Sequence, residues 1–156
     1  MSKSTQQAGT KALRSGRYSA KNRIYHITTR TYAREPLFDN FAIGRLVVKQ
    51  ISHEEKTGHI KTLAFVLMPD HLHWLVQLMT DRAMSVAVNN VKSFSARRIN
   101  QRRNQTGQVW QKGFYDRALR REEDVVEVAR YIIANPLRAG LVRQIGDYPL
   151  WDAIWV

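Results

Sequence analysis

The residues most able to do chemistry in this sequence are two histidines, one tyrosine and a scatter of arginines. His71 and His73 stand two apart in HLHWLVQL. On a strand, such residues project to the same side with their bases about 6–7 Å apart. Two imidazoles so placed can clamp a divalent metal, a role histidine fills more often than any other side chain. The apolar run LAFVLM just ahead of them sets the pair beside a core, on a rigid element. The plainer reading is a strand edge that carries two histidines and no metal. Tyr131 and Asn135, in ARYIIANPLRAGLV, are i and i+4 and share one face of a helix. If that helix lies over the histidines, the phenol and the amide oxygen both approach the same metal. A tyrosine beside an apolar stripe is also an ordinary wall residue.

Charge points to the partner. Lys and Arg number 25 against 13 Asp and Glu, a net +12. Such an excess attracts polyanions, nucleic acid above all. The candidates for phosphate contacts are Arg30, Arg97, Arg98, Arg102, Arg103, Lys112, Arg117, Arg120, Arg121 and Arg138. Taken singly, each also reads as a solvated charge. Trp110 and Tyr115 could stack on splayed bases or belong to the core. There are no cysteines, which excludes disulfides, thiolate zinc sites and cysteine nucleophiles and suits a reducing cytoplasm. The polar, basic N-terminus has no secretory apolar stretch. No apolar run reaches the ~18 residues of a membrane span.

The elements that must position these residues are legible from periodicity. Residues 1–20 read as a flexible basic arm and 21–156 as one domain. Residues 22–31 (NRIYHITTRT) read as a first strand, rich in β-branched and aromatic residues. A helix follows over 38–55, with Ile43, Leu46, Val47, Gln50 and Ile51 at helical spacing, and Gly58 closes it. Residues 59–68 and 71–78 form a hairpin about the Pro69–Asp70 turn. A helix over 84–103 carries Met84, Ala87, Val88, Val91 and Phe94 on its packing stripe and ends strongly basic. Residues 113–120 read as a fourth strand. Residues 122–134 read as a last helix, stopped by Asn135-Pro136. This is an α+β, ferredoxin-like βαββαβ antiparallel sheet with one additional C-terminal helix. Strand parity puts His26, Thr28 and Arg30 on one face of the first strand and His71, His73 and Gln77 on one face of the third. In this plan those strands are central neighbours, and the last helix is left to cover the polar face.

The run FVLMPDHLHWLVQL, then VWQKGFYDRALR, then YIIANPLRAGLV, in this order, resembles the REP-associated tyrosine transposases. These are single-tyrosine relatives of insertion-sequence transposases within the HUH endonuclease superfamily. The resemblance runs from about Gly16 to Trp151. It implies that His71 and His73 are the metal pair, Asn135 the third ligand and Tyr131 the nucleophile. It further implies Mg²⁺ or Mn²⁺ as cofactor, although two imidazoles and an oxygen also suit zinc. Tyr115 is the rival nucleophile, but it sits on a strand with no ligand partner at i+4. Tyr25 and Tyr32 have no supporting pattern.

The activity so implied is metal-dependent cleavage and strand transfer of single-stranded, hairpin-flanked repetitive DNA through a 5′-phosphotyrosine. The covalent link keeps the phosphoester energy, so a free 3′-OH can attack back and no nucleotide cofactor is needed. Free tyrosine titrates near pH 10, so the nucleophile needs help from nearby positive charge. Two rivals are a non-enzymatic nucleic-acid-binding ferredoxin-like module and a zinc hydrolase. The first would show aromatic residues in the RNP1 pattern on the open face. The second would need a carboxylate base, for which Asp70 and Asp116 are nearest in sequence. The expected setting is cytoplasmic and nucleoid-associated. The expected state is a monomer, with a dimer that trades tyrosine helices as the alternative.

Overall fold

The computed structural model describes residues 21–120 and 124–155. The proposed basic arm over 1–20, the start of the last predicted helix and Arg121 lie outside those residues.

The elements run β1 (Ile24–Arg30), α1 (Phe41–Lys56), β2 (Ile60–Met68), β3 (His71–Leu78), α2 (Met84–Arg103), β4 (Tyr115–Ala118), α3 (Val125–Ile133), α4 (Asn135–Arg138) and β5 (Trp151–Ala153). The expected α+β order is therefore present, with two additions. Helix α1 starts three residues later than its apolar periodicity suggests. Leu37–Asp39 forms a 3₁₀ turn, and the Asn40 side chain accepts from the Ile43 N–H at 3.2 Å, satisfying a donor that the first turn leaves unpaired. Gly58, at φ +85°, takes the chain out of the helix towards β2.

Every strand pairs antiparallel, in the order β4-β1-β3-β2-β5. The first four members of that order form the ferredoxin-like sheet; β5 extends it along the free edge of β2, opposite Ala64–Val66. Three residues are too few to show a strand period, so β5 was not visible in the sequence. Local tertiary bonds hold it: the Tyr148 hydroxyl donates to the Leu67 carbonyl at 2.5 Å, and the Leu67 N–H donates to the Leu150 carbonyl at 2.9 Å.

Burial distinguishes the two faces. Ile27, Leu72, Trp74, Val76 and Leu78 lie on one face, fully buried beneath α1 and α2. Trp74 is the largest of them, and its indole N–H donates to Thr62 Oγ1 at 3.0 Å. Trp74→Ala is expected to cost about 3–5 kcal/mol, measurable as a lower urea midpoint. On α2 the buried stripe is Met84, Ala87, Val88, Val91, Ser95 and Ile99. Phe94 does not belong to it. One residue short of Ser95, it is rotated out of the stripe and 41% exposed, with the Arg97 guanidinium over its ring. Trp110 is core: it is buried against Phe38 and donates to Ser95 Oγ at 3.0 Å.

On the second face, α3 packs its Ala129–Ile132 side over β2 and β5. Strand β2 is consequently buried on both faces from Leu63 onward, whereas β1 alternates throughout and β3 alternates except at Leu75, which is buried on the second face. The expected C-terminal helix is thus present, but it covers only the β2–β5 half of that face. The β1 and β4 half stays open. Among the described residues no helix is long and apolar enough to cross a membrane.

Candidate active site

The β1–β3 register places Thr28 opposite His73 and Arg30 opposite His71. Cross-strand partners share a face, so His26, Thr28, Arg30, His71 and His73 meet where the α3-covered half of the sheet gives way to the open half. The expected parity holds. The rings of His71 and His73 lie 4.9 Å apart, edge to face, and those of His26 and His73 lie 5.2 Å apart.

Each histidine of the pair has one ring nitrogen engaged from behind. His71 Nδ1 is 2.7 Å from Asp70 Oδ1, and Asp70 Oδ2 accepts from Arg34 Nε at 2.9 Å. Burial alone would raise the Asp70 pKa, but the hydrogen bonds from His71 and Arg34 outweigh it and hold the carboxyl below its usual range. His73 Nδ1 is 3.0 Å from His26 Nε2, with Thr28 Oγ1 at 3.4 Å. In both rings Nδ1 is the committed atom, which leaves Nε2 as the available donor. A carboxylate or second imidazole behind a ligand histidine fixes its tautomer and orientation in metal sites.

Burial, helped by neighbouring positive charge, holds His26 and His73 below the usual histidine range. Burial, with the charge of Arg117, lowers His26 to about 4. Burial, then His26, His71, Arg30 and Arg138, lowers His73 to about 3. A neutral imidazole is the form that ligates. Among the described residues no group of three or more His, Asp or Glu is placed to hold a metal, so a third protein donor would be an oxygen of another kind.

Asn135 lies just beyond the tyrosine helix, where the following Pro136 is expected to stop it. The helix carrying Tyr131 stops at Ile133, and Asn135 opens the separate short helix α4. Pro136 has no N–H, so the Ile132 carbonyl loses its normal donor four residues on. The Asn135 amide nitrogen donates to that carbonyl at 2.7 Å. With the nitrogen so committed, the free acceptor of Asn135 is its Oδ1. Tyr131 is 64% exposed on α3, and the Arg138 guanidinium carbon lies 3.7 Å from its ring centroid. Arg138 also acts electrostatically on His73. The charge that rests on the Tyr131 ring is therefore also felt at the histidine strand.

The remaining basic candidates are dispersed. Arg117 on β4 is opposite His26, on the site face. Arg30 extends over the ring of Tyr115, 5.4 Å from its centroid. Arg97, Arg98 and Arg102 are exposed on α2, Lys112 and Arg120 are exposed around β4, and Arg103 is paired with Glu35 at 3.0 Å. Because α2 returns antiparallel to β3, its basic end lies at the His71 end of the sheet, behind the site face. As for the two carboxylates nearest in sequence, Asp70 is engaged by His71 and Arg34, and Asp116 is opposite Ile27 on the other face. Neither is placed as a hydrolytic base. From the sequence Asp70 was weighed only as a base and His26 only as a residue of the polar face; their places behind His71 and His73, and that of Arg34 behind Asp70, come from the structure. For His26 the period-2 parity was the available signal; for Arg34 there was none.

A protein of Haemophilus influenzae named as a REP-associated tyrosine transposase is 26% identical over 99 residues, 57% of this chain. The chain spans only 56% of that relative's length. A solved REP-associated tyrosine transposase, bound to a REP hairpin, superposes with a TM-score of 0.70 at 23% identity, covering 86% of this chain and 79% of its own. A Deinococcus radiodurans protein described as a transposase superposes with a TM-score of 0.52 at 18% identity, over 76% of this chain and 94% of its own. These two structural likenesses establish the fold. The family model of IS200-like transposases matches residues 19–135, a span that takes in β1, the histidine strand, the tyrosine helix and Asn135. With three-quarters of its length matched in one continuous run, this chain belongs to the IS200-like transposase family.

Proposed function

We propose that this chain nicks and rejoins single-stranded DNA beside a hairpin, with Tyr131 as nucleophile and His71, His73 and Asn135 as ligands of Mg²⁺ or Mn²⁺. The observation that supports the reading is a pair of imidazoles side by side on β3, each held from behind at Nδ1, with the Arg138 cation lying on the Tyr131 ring and its charge felt at His73. The hairpin partner rests on the related structure, whose protein is bound to a REP hairpin.

The Tyr131 hydroxyl oxygen attacks the scissile phosphorus, the P–O3′ bond breaks, and the phenol proton ends on the departing 3′ oxygen. His71, His73 and Asn135 would hold the divalent ion, which would supply Lewis-acid stabilisation of the phosphate charge. Asp70 and His26 hold the two imidazoles in register for it. The Arg138 cation is positioned beside the phenol as it gains negative charge. The reverse attack by the 3′-OH restores the strand. Labelled hairpin DNA with a single-stranded flank, incubated with the protein and Mn²⁺, is expected to give a covalent adduct that survives denaturation. No adduct under any divalent ion would reject the reading.

The basic end of α2 offers a surface for the DNA behind the site. Replacing Arg97, Arg98 and Arg102 together should weaken binding and lower the slope of log K against log salt by about 0.7 for each lost phosphate contact on single strands. Arg103, held by Glu35, should contribute less. An unchanged slope would mean that α2 faces away from the DNA.

A further inference from the structure

We infer that Tyr115 and Arg30 form a subsite for the nucleotide that leaves with the 3′-OH, its base stacked on the Tyr115 ring. The inference rests on the proposed reaction and adds the path of the DNA across the sheet. Tyr115 is the aromatic residue of β4 on the site face. It is opposite Thr28, which is opposite His73, so the three form one row across adjacent strands. Two strand spacings put Tyr115 roughly 10 Å from His73, about the reach from a phosphate to the base of the adjoining nucleotide.

The ring is 61% exposed, and Arg117, two residues on along β4 and on the same face, is exposed as well. Arg30 is its neighbour, 5.4 Å from the centroid, and is the cross-strand partner of His71. Its Nε is out of solvent and has no hydrogen-bond partner among the described residues. A buried donor left unpaired is costly. The pair thus offers an open π face and a cation, the two components with which proteins hold single strands without reading sequence.

In-line chemistry says which nucleotide belongs there. Tyr131 approaches from α3, on the β2–β5 side of the histidines. The leaving 3′ oxygen departs opposite the nucleophile, towards β1 and β4. The nucleotide 5′ of the scissile phosphate therefore lies over Tyr115, while the 3′ portion stays with Tyr131 as the phosphotyrosine. A subsite there keeps the cut strand's 3′-OH beside the phosphotyrosine, which favours rejoining over release.

The test first maps the scissile step. A pool of hairpin oligonucleotides with randomised flanks is incubated with the wild-type protein and Mn²⁺, and the trapped adduct is sequenced. The non-cleaving Tyr131→Phe protein is then bound to that oligonucleotide with 2-aminopurine immediately 5′ or immediately 3′ of the scissile phosphate. The 5′ probe should be quenched on binding. Adding Tyr115→Ala should restore its emission and weaken binding on the order of tenfold, whereas Tyr115→Phe should preserve the quench. The 3′ probe should not respond to Tyr115. In the cleaving protein, Tyr115→Ala should release the 3′-OH fragment faster and rejoin less. A 5′ probe indifferent to Tyr115, or a response confined to the 3′ probe, overturns the subsite while leaving an adduct on Tyr131 intact. A wild-type protein that forms no adduct on Tyr131 instead removes the underlying reaction, and the subsite with it.

Discussion

Tyr131→Phe is expected to bind hairpin DNA and Mn²⁺ as the parent does and to form no covalent adduct at all. Loss of the attacking oxygen removes the reaction itself, so cleavage should fall by on the order of 10⁴-fold or more. The substitution deletes one hydroxyl from a side chain that is 64% exposed, so the packing of Ala129 and Ile132 is untouched and the melting temperature should not move. The Phe ring also keeps the face on which Arg138 rests. Tyr115→Phe is the matched control. It changes the rival phenol on the same sheet face and should retain cleavage. Mass spectrometry of the trapped peptide distinguishes the two tyrosines, and a phosphotyrosyl adduct on Tyr115 would overturn the assignment.

His71→Ala should eliminate cleavage and lower Mn²⁺ affinity by at least about 100-fold, measured by calorimetry. Substitutions of the groups that orient metal-ligating histidines cost about 10–100-fold in affinity, and losing the ligand itself should exceed that range. Asp70→Asn supplies the graded comparison. It removes the charge behind His71 and the ionic partner of Arg34 while keeping the shape, so its affinity loss should lie within the 10–100-fold range. His71 is only partly buried at the start of β3 and contributes little apolar packing, so the alanine variant should stay folded. Full cleavage by the parent protein in EDTA would reject the metal role outright.

Much of the site was legible because its signals are local. A strand alternates every second residue, so HLH had to present both imidazoles on one side and bury Leu72 and Trp74 on the other. The Pro69–Asp70 turn joins β2 and β3 by the tight hairpin its residues suggest, with Met68 opposite His71. The 3.6-residue period likewise located α1 and α2 to within a few residues. The stripe of α2 was misjudged only at Phe94, where an apolar residue next to the true stripe looked like part of it.

What the sequence determined by itself is therefore the order of the elements, the faces of the strands and the residue types offered on each face. The tertiary structure alone decided which of those residues meet. Cross-strand register brought His26 behind His73, and the return of the chain through a left-handed turn at Ala33 and Arg34 brought Arg34 onto Asp70. Docking of α3 over β2 and β5 left β1 and β4 uncovered, which turned Tyr115 from a strand residue into an exposed ring beside the histidines. The reason is physical: periodicity reports the face a side chain takes on its own element, whereas register and docking depend on contacts between residues as far apart as His26 and His73, which no local pattern encodes.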